Sequence, residues 1–266
     1  MRTITELISL KGRIACVTGA AGYIGRVFCE TLLENEIDLI MVDLDESKLE
    51  SLSDEYRNKF NTSIDYFACD LSNTASRLNL IQHLNDKQRI DILINCAAFV
   101  GDSDLKGWST SFENQDPNLW ETVIELNLTS AFHLSQGLQK LLKKNKKGVI
   151  INISSIYGFL APDPSLYNET NMNNPAAYSA SKAGLIQLTK WLSANLAPEI
   201  RVNAISPGGI IRNQPEIFIK RYEEKTPLSR MGTEEDLKGA LIFLASDLSE
   251  YVTGQNIIVD GGFSIS

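Results

Sequence analysis

The chain has 266 residues, which suits one large α/β domain, and its 43% hydrophobic and 22% charged residues are typical of a globular protein. The formal net charge of −8 argues against a protein that binds the phosphate backbone of nucleic acids. Four scattered cysteines and two histidines are too few for structural zinc, a cysteine–histidine dyad or a disulfide framework, so no metal is expected. We find no signal peptide and no apolar stretch long enough to cross a bilayer, so we expect a cytoplasmic protein without membrane attachment.

Seven strand-like runs recur along the chain, with helical stretches between them. The early runs are continuously apolar, as strands buried on both faces are. This alternation implies a parallel sheet with right-handed crossovers, and no repeat or linker divides it. The sequence therefore predicts a single α/β domain over residues 1–266. The predicted strands are Arg13–Thr18, Asp38–Asp43, Ser63–Cys69, Ile90–Asn95, Gly148–Ser154, Arg201–Ser206 and Asn256–Asp260.

The first strand is followed by a glycine-rich loop, Thr18–Gly25, which also opens a helix. Glycines at such a turn let a pyrophosphate approach the backbone amides at the helix N-terminus. The motif alone is a weak signal, but its place between strand and helix strengthens it. The next strand ends at Asp43, where a carboxylate can bind both ribose hydroxyls of an adenosine and repel a 2′-phosphate. NAD is therefore expected rather than NADP, unless Asp43 merely caps the following helix.

The third and fourth strands also end in residues suited to a cofactor. Asp70 can reach an adenine edge, and the small residues of Asn95–Ala98 let the backbone lie against a flat cofactor. A polar loop over 99–115 then leads to Asp116-Pro117, a helix-start signal. The long helix after it carries Asn127 among apolar residues, where an unpaired amide is costly. A structural bridge and a proton relay are both open for Asn127.

The fifth strand places Ser155 at its carboxyl end, where open α/β sheets bind ligands. A polar insertion at about 156–175 follows; it is rich in proline and asparagine and is predicted to be a surface loop. Next comes a predicted helix on which Tyr178 and Lys182 lie four residues apart, on one face. A cation there favours phenolate over phenol, so the pKa of Tyr178 is expected to be lowered toward neutral. The pair alone is a weak signal.

The sixth strand leads into a predicted substrate lid at about 210–230, which is predicted to be helical over 213–230. Arg212 lies at this edge, and its planar guanidinium can bind a phosphate or a carboxylate with two hydrogen bonds. Two interpretations are open. Arg212 could pair with a local carboxylate or cover the cofactor pyrophosphate, or it could hold an anionic sugar.

Together these motifs make residues 8–264 resemble the short-chain dehydrogenase/reductase family. The resemblance implies a Rossmann fold with a seven-stranded, mostly parallel, doubly wound sheet and helices on both faces, in a homotetramer or homodimer. The motifs stand in the family's order: the glycine loop, Asp43, Asp70, Asn95–Ala98, Asn127, Ser155, Tyr178-x-x-x-Lys182, Pro207-Gly208 and Thr253–Gly262.

The resemblance also implies a role for each site residue. Tyr178 would be the acid/base, and Ser155 would hydrogen-bond the substrate oxygen. Lys182 would bind the nicotinamide ribose and lower the tyrosine pKa, and Asn127 would hold a relay water. The substrate candidates are Ser155, Tyr157, Asn171 and Arg212. The cofactor candidates are Gly19, Ala21, Gly22, Tyr23, Ile24, Gly25, Asp43, Asp70, Leu71, Asn95, Ala97, Tyr178, Lys182, Pro207, Gly208 and Ile210.

The chain departs from the family pattern at several positions. Tyr23 stands where the single-domain branch usually has glycine, which gives the glycine spacing of the extended, sugar-nucleotide-modifying branch. Cys96 and Ala98 replace an asparagine and a glycine. Arg212 stands where a threonine often binds the nicotinamide amide, which puts that contact in doubt.

The insertion after Ser155 is longer than usual, and this version is similar to oxidoreductases linked to bacterial surface-sugar and flagellin modification. The leading prediction is an NAD(H)-dependent oxidoreductase that interconverts a secondary alcohol and a ketone on a polar, sugar-like small molecule. Reduction of an acyl or other apolar ketone is the alternative; the asparagines of the insertion favour the polar substrate, although exposed loops are polar in any case. A non-catalytic dinucleotide sensor is a third hypothesis, against which the intact Ser155, Tyr178 and Lys182 argue.

Overall fold

The computed structural model describes residues 1–87, 89–99 and 105–266, and in them seven parallel strands form one sheet in the order β3-β2-β1-β4-β5-β6-β7. Each predicted strand is confirmed, with its ends displaced by at most two residues. The shifts reflect where ladder hydrogen bonds begin, which hydrophobicity does not determine. The strands are β1 (Ile14–Thr18), β2 (Asp38–Asp43), β3 (Ile64–Ala68), β4 (Ile92–Asn95), β5 (Gly148–Ile153), β6 (Ile200–Pro207) and β7 (Asn256–Val259).

Helices cover both faces of the sheet, as predicted. One long helix was expected after Asp116, and the structure has two helices there, joined without a break by a π-helical turn, Glu125–Thr129. The helices of the described residues are α1 (Ile4–Ile8), α2 (Tyr23–Leu33), α3 (Glu46–Lys59), α4 (Thr74–Asn85), α5 (Pro117–Ile124), α6 (Ser130–Leu142), α7 (Ala176–Leu196), α8 (Glu216–Lys225) and α9 (Lys238–Ala245).

The sheet separates two hydrophobic cores. One core lies between the sheet and α2, α3 and α9, and the other lies between the sheet and α4, α6 and α7. Successive strand residues alternate between them, so that Val17 belongs to the first core and Cys16 to the second. This two-sided burial explains the continuous apolar runs of the early strands. Cys16 is a small core residue, and burial raises the pKa of its thiol to about 12.

The strand order reverses between β1 and β4. The chain runs outward from β1 to β3, then returns to β4 on the other side of β1 and runs outward again to β7. The crossovers therefore diverge from the carboxyl ends of β1 and β4 and leave a crevice there. This crevice is where the topology permits a ligand to bind.

The insertion 156–175 packs against α8, and we call these two segments together the cap. Leu166 of the insertion and Phe218 and Tyr222 of α8 form a buried apolar cluster with Met231. The insertion was predicted to be a surface loop, which is wrong for Leu166, because this residue is completely buried against the α8 cluster.

Candidate active site

A cleft of ≈400 Å³ opens at the carboxyl ends of the central strands. Its size falls within the range of about 300–1,000 Å³ that is usual for small-molecule sites. Most of the residues predicted to bind the cofactor line this cleft. They are Gly19, Ala21, Gly22, Tyr23, Ile24, Gly25, Asp43, Asp70, Leu71, Ala97, Tyr178 and Lys182, and the substrate candidate Arg212 joins them.

The glycine loop is packed so tightly that side chains would not fit at two of its positions. Gly19 has a φ of +67°, and a Cβ there would lie 2.7 Å from the Cα of Ala97. A Cβ on Gly25 would lie 1.9 Å from the carbonyl oxygen of Gly19. Gly22 is the N-cap of α2 and has no side chain that could occupy the first N–H groups of the helix. The loop therefore fits a pyrophosphate at this helix N-terminus.

Thr18 fixes the end of β4 beside this loop, a role that the sequence analysis missed. Its hydroxyl oxygen accepts hydrogen bonds from the N–H groups of Cys96 and Ala97, both at 3.1 Å. The available signal was a hydroxyl residue at the end of the first strand, immediately before the glycines. Cys96 also lines the cleft, and burial raises the pKa of its thiol to about 12.

Asp43 stands at the end of β2 with both carboxylate oxygens held by the backbone. Oδ2 accepts from the N–H of Ala21 at 2.9 Å and Oδ1 from the N–H of Leu44 at 2.7 Å. The alternative that Asp43 caps α3 is wrong, because Asp45 is the N-cap and accepts from the N–H of Lys48. The carboxylate of Asp43 therefore faces the cleft in a fixed position.

Asp70 also lines the cleft, and the residue before it, Cys69, donates its N–H to the carbonyl oxygen of Asp43 at 2.8 Å. Its Oδ1 accepts from both the N–H and the hydroxyl of Ser72, at 2.9 and 2.6 Å. The side chain is exposed, so the second carboxylate oxygen faces solvent at the cleft. This placement suits the predicted contact with an adenine edge, which stays a prediction.

Tyr178 and Lys182 project from the first turns of α7 into the other end of the cleft. Lys182 is only 2% exposed, and its Nζ donates to the carbonyl oxygen of Ile153 at 2.8 Å. Nζ lies 5.7 Å from the centre of the Tyr178 ring. Burial lowers the pKa of Lys182 to about 8.

The expected lowering of the Tyr178 pKa is wrong for the chain in this structure. Loss of contact with water raises this pKa, and a hydrogen bond from Ser155 and the charge of Arg212 offset only part of the rise. The ammonium of Lys182 is directed at the backbone of β5 rather than at the phenol oxygen. Tyr178 therefore keeps its proton at neutral pH.

Asn127 bridges the π-helical turn to its surroundings. Its Oδ1 accepts from the N–H of Phe99 at 2.7 Å, and its Nδ2 donates to the hydroxyl of Ser181 at 3.1 Å. Ser181 in turn donates to the carbonyl oxygen of Tyr178 at 2.8 Å. These contacts give the buried amide a structural partner on each side, and they support the bridging interpretation. The relay water stays a prediction.

Several predicted cofactor residues lie outside the lining of the cleft. Asn95 is buried, and its Nδ2 donates to Asn152 at 2.8 Å, which links β4 to β5. Pro207 is buried at the end of β6. Gly208 and Ile210 line an adjacent cavity of ≈130 Å³.

The remaining substrate candidates separate into two groups. Ser155 and Tyr157 lie beside Tyr178, and the N–H of Tyr157 donates to the hydroxyl of Ser155 at 3.2 Å. The Tyr157 phenol lies 2.6 Å from the phenol of Tyr167, which was not predicted. Asn171 is exposed, and its contact with the loop 99–115 is through its backbone, whose carbonyl oxygen accepts from the hydroxyl of Ser109. Residues 100–104 of that loop lie outside the described residues.

Arg212 reaches across the mouth of the cleft. Its Nε and Nη2 donate to Glu234 at 3.2 and 3.1 Å, so the local carboxylate of the first interpretation is Glu234. Its guanidinium carbon lies 4.2 Å from the centre of the Tyr23 ring.

Among the residues that the structure describes, no three acidic, histidine or cysteine side chains are grouped as metal ligands would be. In the same part of the chain, no helix combines the length and the apolar character needed to cross a bilayer.

Comparisons with known proteins cover nearly the whole chain. A family model described as enoyl-(acyl carrier protein) reductase matches residues 19–264. The post-translational flagellin modification protein A of Campylobacter coli is 35% identical over 260 residues, which are 96% of this chain and 100% of that protein.

Solved structures match as extensively. A short-chain dehydrogenase from Leptospira borgpetersenii with bound NAD⁺ is 35% identical with a TM-score of 0.83, over 99% of this chain and 96% of that chain. A gluconate 5-dehydrogenase from Burkholderia cenocepacia, in complex with NADP and tartrate, is 27% identical with a TM-score of 0.87, over 99% and 100% of the two chains. Both likenesses span the glycine loop and the Tyr178 helix.

Proposed function

Because the chain belongs to the short-chain dehydrogenase/reductase family of oxidoreductases, we propose that it interconverts a secondary alcohol and a ketone of a polar, sugar-like substrate with NAD(H). The observation that carries this proposal is that Tyr178, with Ser155 hydrogen-bonded to it, and Lys182 meet in the cleft that also holds the glycine loop and Asp43. A pure dinucleotide sensor would need no proton donor at that place.

When bound, the nicotinamide cofactor supplies the carbon that gives or takes the hydride. The chain's own residues hold the oxygen and move the proton. Ser155 donates a hydrogen bond to the substrate oxygen, and Tyr178 exchanges the proton with it. Because the raised pKa keeps the Tyr178 phenol protonated, this residue suits proton donation to a ketone oxygen during reduction. Lys182, whose ammonium is anchored on β5, would hold the nicotinamide ribose.

The fixed carboxylate of Asp43 supports the choice of NAD over NADP. A 2′-phosphate at this end of the cleft would meet that carboxylate, and two like charges about 4 Å apart repel by roughly 4 kcal/mol at an effective dielectric constant of about 20. Lys48 also lines this end, but its ammonium pairs with Asp45 at 3.2 Å.

The cap supports a polar substrate. Tyr157 and Tyr167 hold two phenols 2.6 Å apart near Tyr178, and burial raises the pKa of both, so they stay neutral hydrogen-bond donors and acceptors. Such a pair can bind neighbouring hydroxyl groups of a sugar. The flagellin modification protein and the gluconate dehydrogenase among the similar proteins are consistent with this class.

Reduction of an acyl ketone is the second candidate. The matching family model is described as an enoyl-(acyl carrier protein) reductase.

The test is to follow NADH and NADPH consumption with a panel of keto-sugars, keto-sugar acids and a short 3-oxoacyl thioester. We expect faster turnover with NADH and with a keto-sugar. Turnover of the thioester alone would favour the acyl candidate. Binding of NADPH as tightly as NADH would contradict the role of Asp43. NADH binding without turnover of any ketone would favour the sensor.

A further inference from the structure

Two residues that depart from the family pattern touch each other across the mouth of the cleft. Tyr23 is the first residue of α2, and it is 65% exposed. Arg212 follows β6 on the opposite side of the cleft, and its guanidinium lies 4.2 Å from the centre of the Tyr23 ring. A guanidinium stacked on an aromatic ring is attracted by the ring's π electrons. Lysine or threonine in place of the arginine could not form this planar stacked contact.

Arg212 is held in this position from behind. Glu234 accepts from its Nε and Nη2, and the Arg212 N–H donates to the Oε1 of Gln214 at 2.6 Å. The backbone just before Arg212 is fixed as well, because the N–H of Ile211 donates to the carbonyl oxygen of Gly232 at 2.8 Å. The guanidinium therefore stays at the mouth without needing a ligand to order it.

One side of the guanidinium remains available for a ligand. Within residues 1–87, 89–99 and 105–266, Nη1 of Arg212 has no hydrogen-bond acceptor, and the side chain is 30% exposed. It lies over the first turn of α2, where the N-terminal N–H groups favour an anion. Its charge also reaches Tyr178 at the other end of the cleft. A pyrophosphate between these ends would be covered by Arg212.

We propose that Tyr23 and Arg212 form a clasp that closes over the pyrophosphate of the bound dinucleotide and slows its release. This inference rests on the proposed use of NAD(H). Release then requires the stack between the two side chains to open, so each residue depends on the other for its effect. The presence of an arginine and a tyrosine at these two positions is explained by a single interaction.

The experiment measures the rate of NADH release by stopped-flow fluorescence after mixing the NADH complex with excess NAD⁺. We expect Arg212→Ala and Tyr23→Ala each to release NADH about tenfold faster than the wild type, a change of the size that a partly desolvated cation–π contact gives. Tyr23→Phe keeps the ring and should release NADH at the wild-type rate. The Tyr23→Ala/Arg212→Ala double variant should show much less than the product of the two single effects, because the residues act as a unit.

Arg26→Ala is the matched control, because Arg26 also lies on α2 and pairs with Glu55 at 3.5 Å on the surface. Release at the wild-type rate from Arg212→Ala and Tyr23→Ala would overturn the clasp, as would independent effects in the double variant. A higher KM for an anionic sugar with unchanged NADH release would overturn it too and assign Arg212 to the substrate. If the wild type does not bind NADH, the proposed function is contradicted together with the clasp. If the wild type binds NADH and turns over a ketone, but Arg212→Ala and Tyr23→Ala release NADH at the wild-type rate, only the clasp is contradicted.

Discussion

The hydroxyl of Tyr178 is the proton carrier of the proposed reaction. Tyr178→Phe removes this oxygen and leaves the ring, so we expect turnover to fall by about 10²–10⁴, as on loss of a general acid. NADH affinity should stay near the wild-type value, because Asp43 and the glycine loop are untouched. Steady-state rates and fluorescence titration measure the two quantities.

Tyr251→Phe is the control for this change, because Tyr251 is fully exposed and the same oxygen is lost there. It should leave both turnover and NADH affinity unchanged. Near-normal turnover in Tyr178→Phe would contradict the proposed mechanism, and a large loss of NADH affinity would assign the phenol to cofactor binding.

Residue spacing predicted which side chains lie together in the cleft. It did not predict their hydrogen-bond partners or the direction in which burial shifts their pKa values. Helical spacing places Tyr178 and Lys182 on one face of α7, which the structure has. The direction of the Tyr178 pKa depends on desolvation, which outweighs the hydrogen bond from Ser155 and the charge of Arg212. Asn127 likewise finds its partner Ser181 on another helix, 54 positions away. Such contacts are made by the tertiary structure, and spacing along the chain does not encode them.

The cap joins two elements that lie far apart along the chain. Lys225 of α8 forms an ion pair with Asp163 of the insertion, and the hydrogen bond from Lys225 lowers the pKa of Asp163 to about 2. Arg221 of α8 pairs with Glu169 at 2.9 Å. These pairs and the apolar cluster hold the insertion, with Tyr167, against α8.

Reversing one charge should loosen the cap. We expect Lys225→Glu to raise amide hydrogen exchange in residues 216–225 and the KM for the sugar-like substrate by about two- to fivefold, because an exposed pair of charges contributes up to about 1 kcal/mol. NADH affinity should not change. Asp163→Lys in the Lys225→Glu background restores an attractive pair and should return both quantities toward the wild type.

Lys59→Glu is the control for this charge reversal, since Lys59 of α3 pairs with Glu30 of α2 at 3.1 Å, away from the cap. It should leave exchange in α8 and the KM unchanged. If the restoring double variant behaves like Lys225→Glu, the coupling of insertion and α8 by this pair is contradicted.

Composition predicted the insertion and the lid as separate elements. The asparagines and prolines of 156–175 favour a loop, and the structure has only two short 3₁₀ turns in it, Ile156–Gly158 and Pro164–Leu166. The burial of Leu166 against Phe218 was not predictable, because a single apolar residue in a polar loop has no periodicity. The packing of the two elements follows from the tertiary structure.

For the whole molecule, the hydrophobic pattern was sufficient to predict the layers of the fold and the parallel direction of the strands. Continuous apolar runs separated by helical stretches permit few arrangements other than a covered parallel sheet. The doubly wound arrangement came from the resemblance, because apolar periodicity is the same for every order of buried strands. Self-association as a homotetramer or homodimer, which the resemblance implies, stays a prediction.

The base of the sheet, opposite the cleft, is held together by Asp247. Its carboxylate forms ion pairs with Arg2 before α1 and Arg13 before β1, and Oδ2 accepts from Lys147 before β5 at 2.8 Å. Burial alone would raise the pKa of Asp247, but the hydrogen bonds from Lys147, Arg13 and Arg2 hold it well below its ordinary value of 3.8. The side chain is 13% exposed, so solvent screens these pairs only in part.

This depressed pKa gives the stability of the protein a defined pH dependence. A carboxyl group whose folded pKa lies below its unfolded value stabilises the fold above the unfolded value, and the contribution is lost as the pH falls through the folded one. Asp247→Asn should therefore lower the free energy of unfolding by about 2 kcal/mol near neutral pH. The difference from the wild type should shrink progressively below about pH 4, where the unfolded carboxyl group takes up its proton.

Urea unfolding at a series of pH values measures this difference. Asp54→Asn is the control, because Asp54 is 70% exposed and lies 3.8 Å from Arg57. A loss for Asp247→Asn that stays constant down to acid pH would show that the asparagine disturbs packing rather than removing a charge.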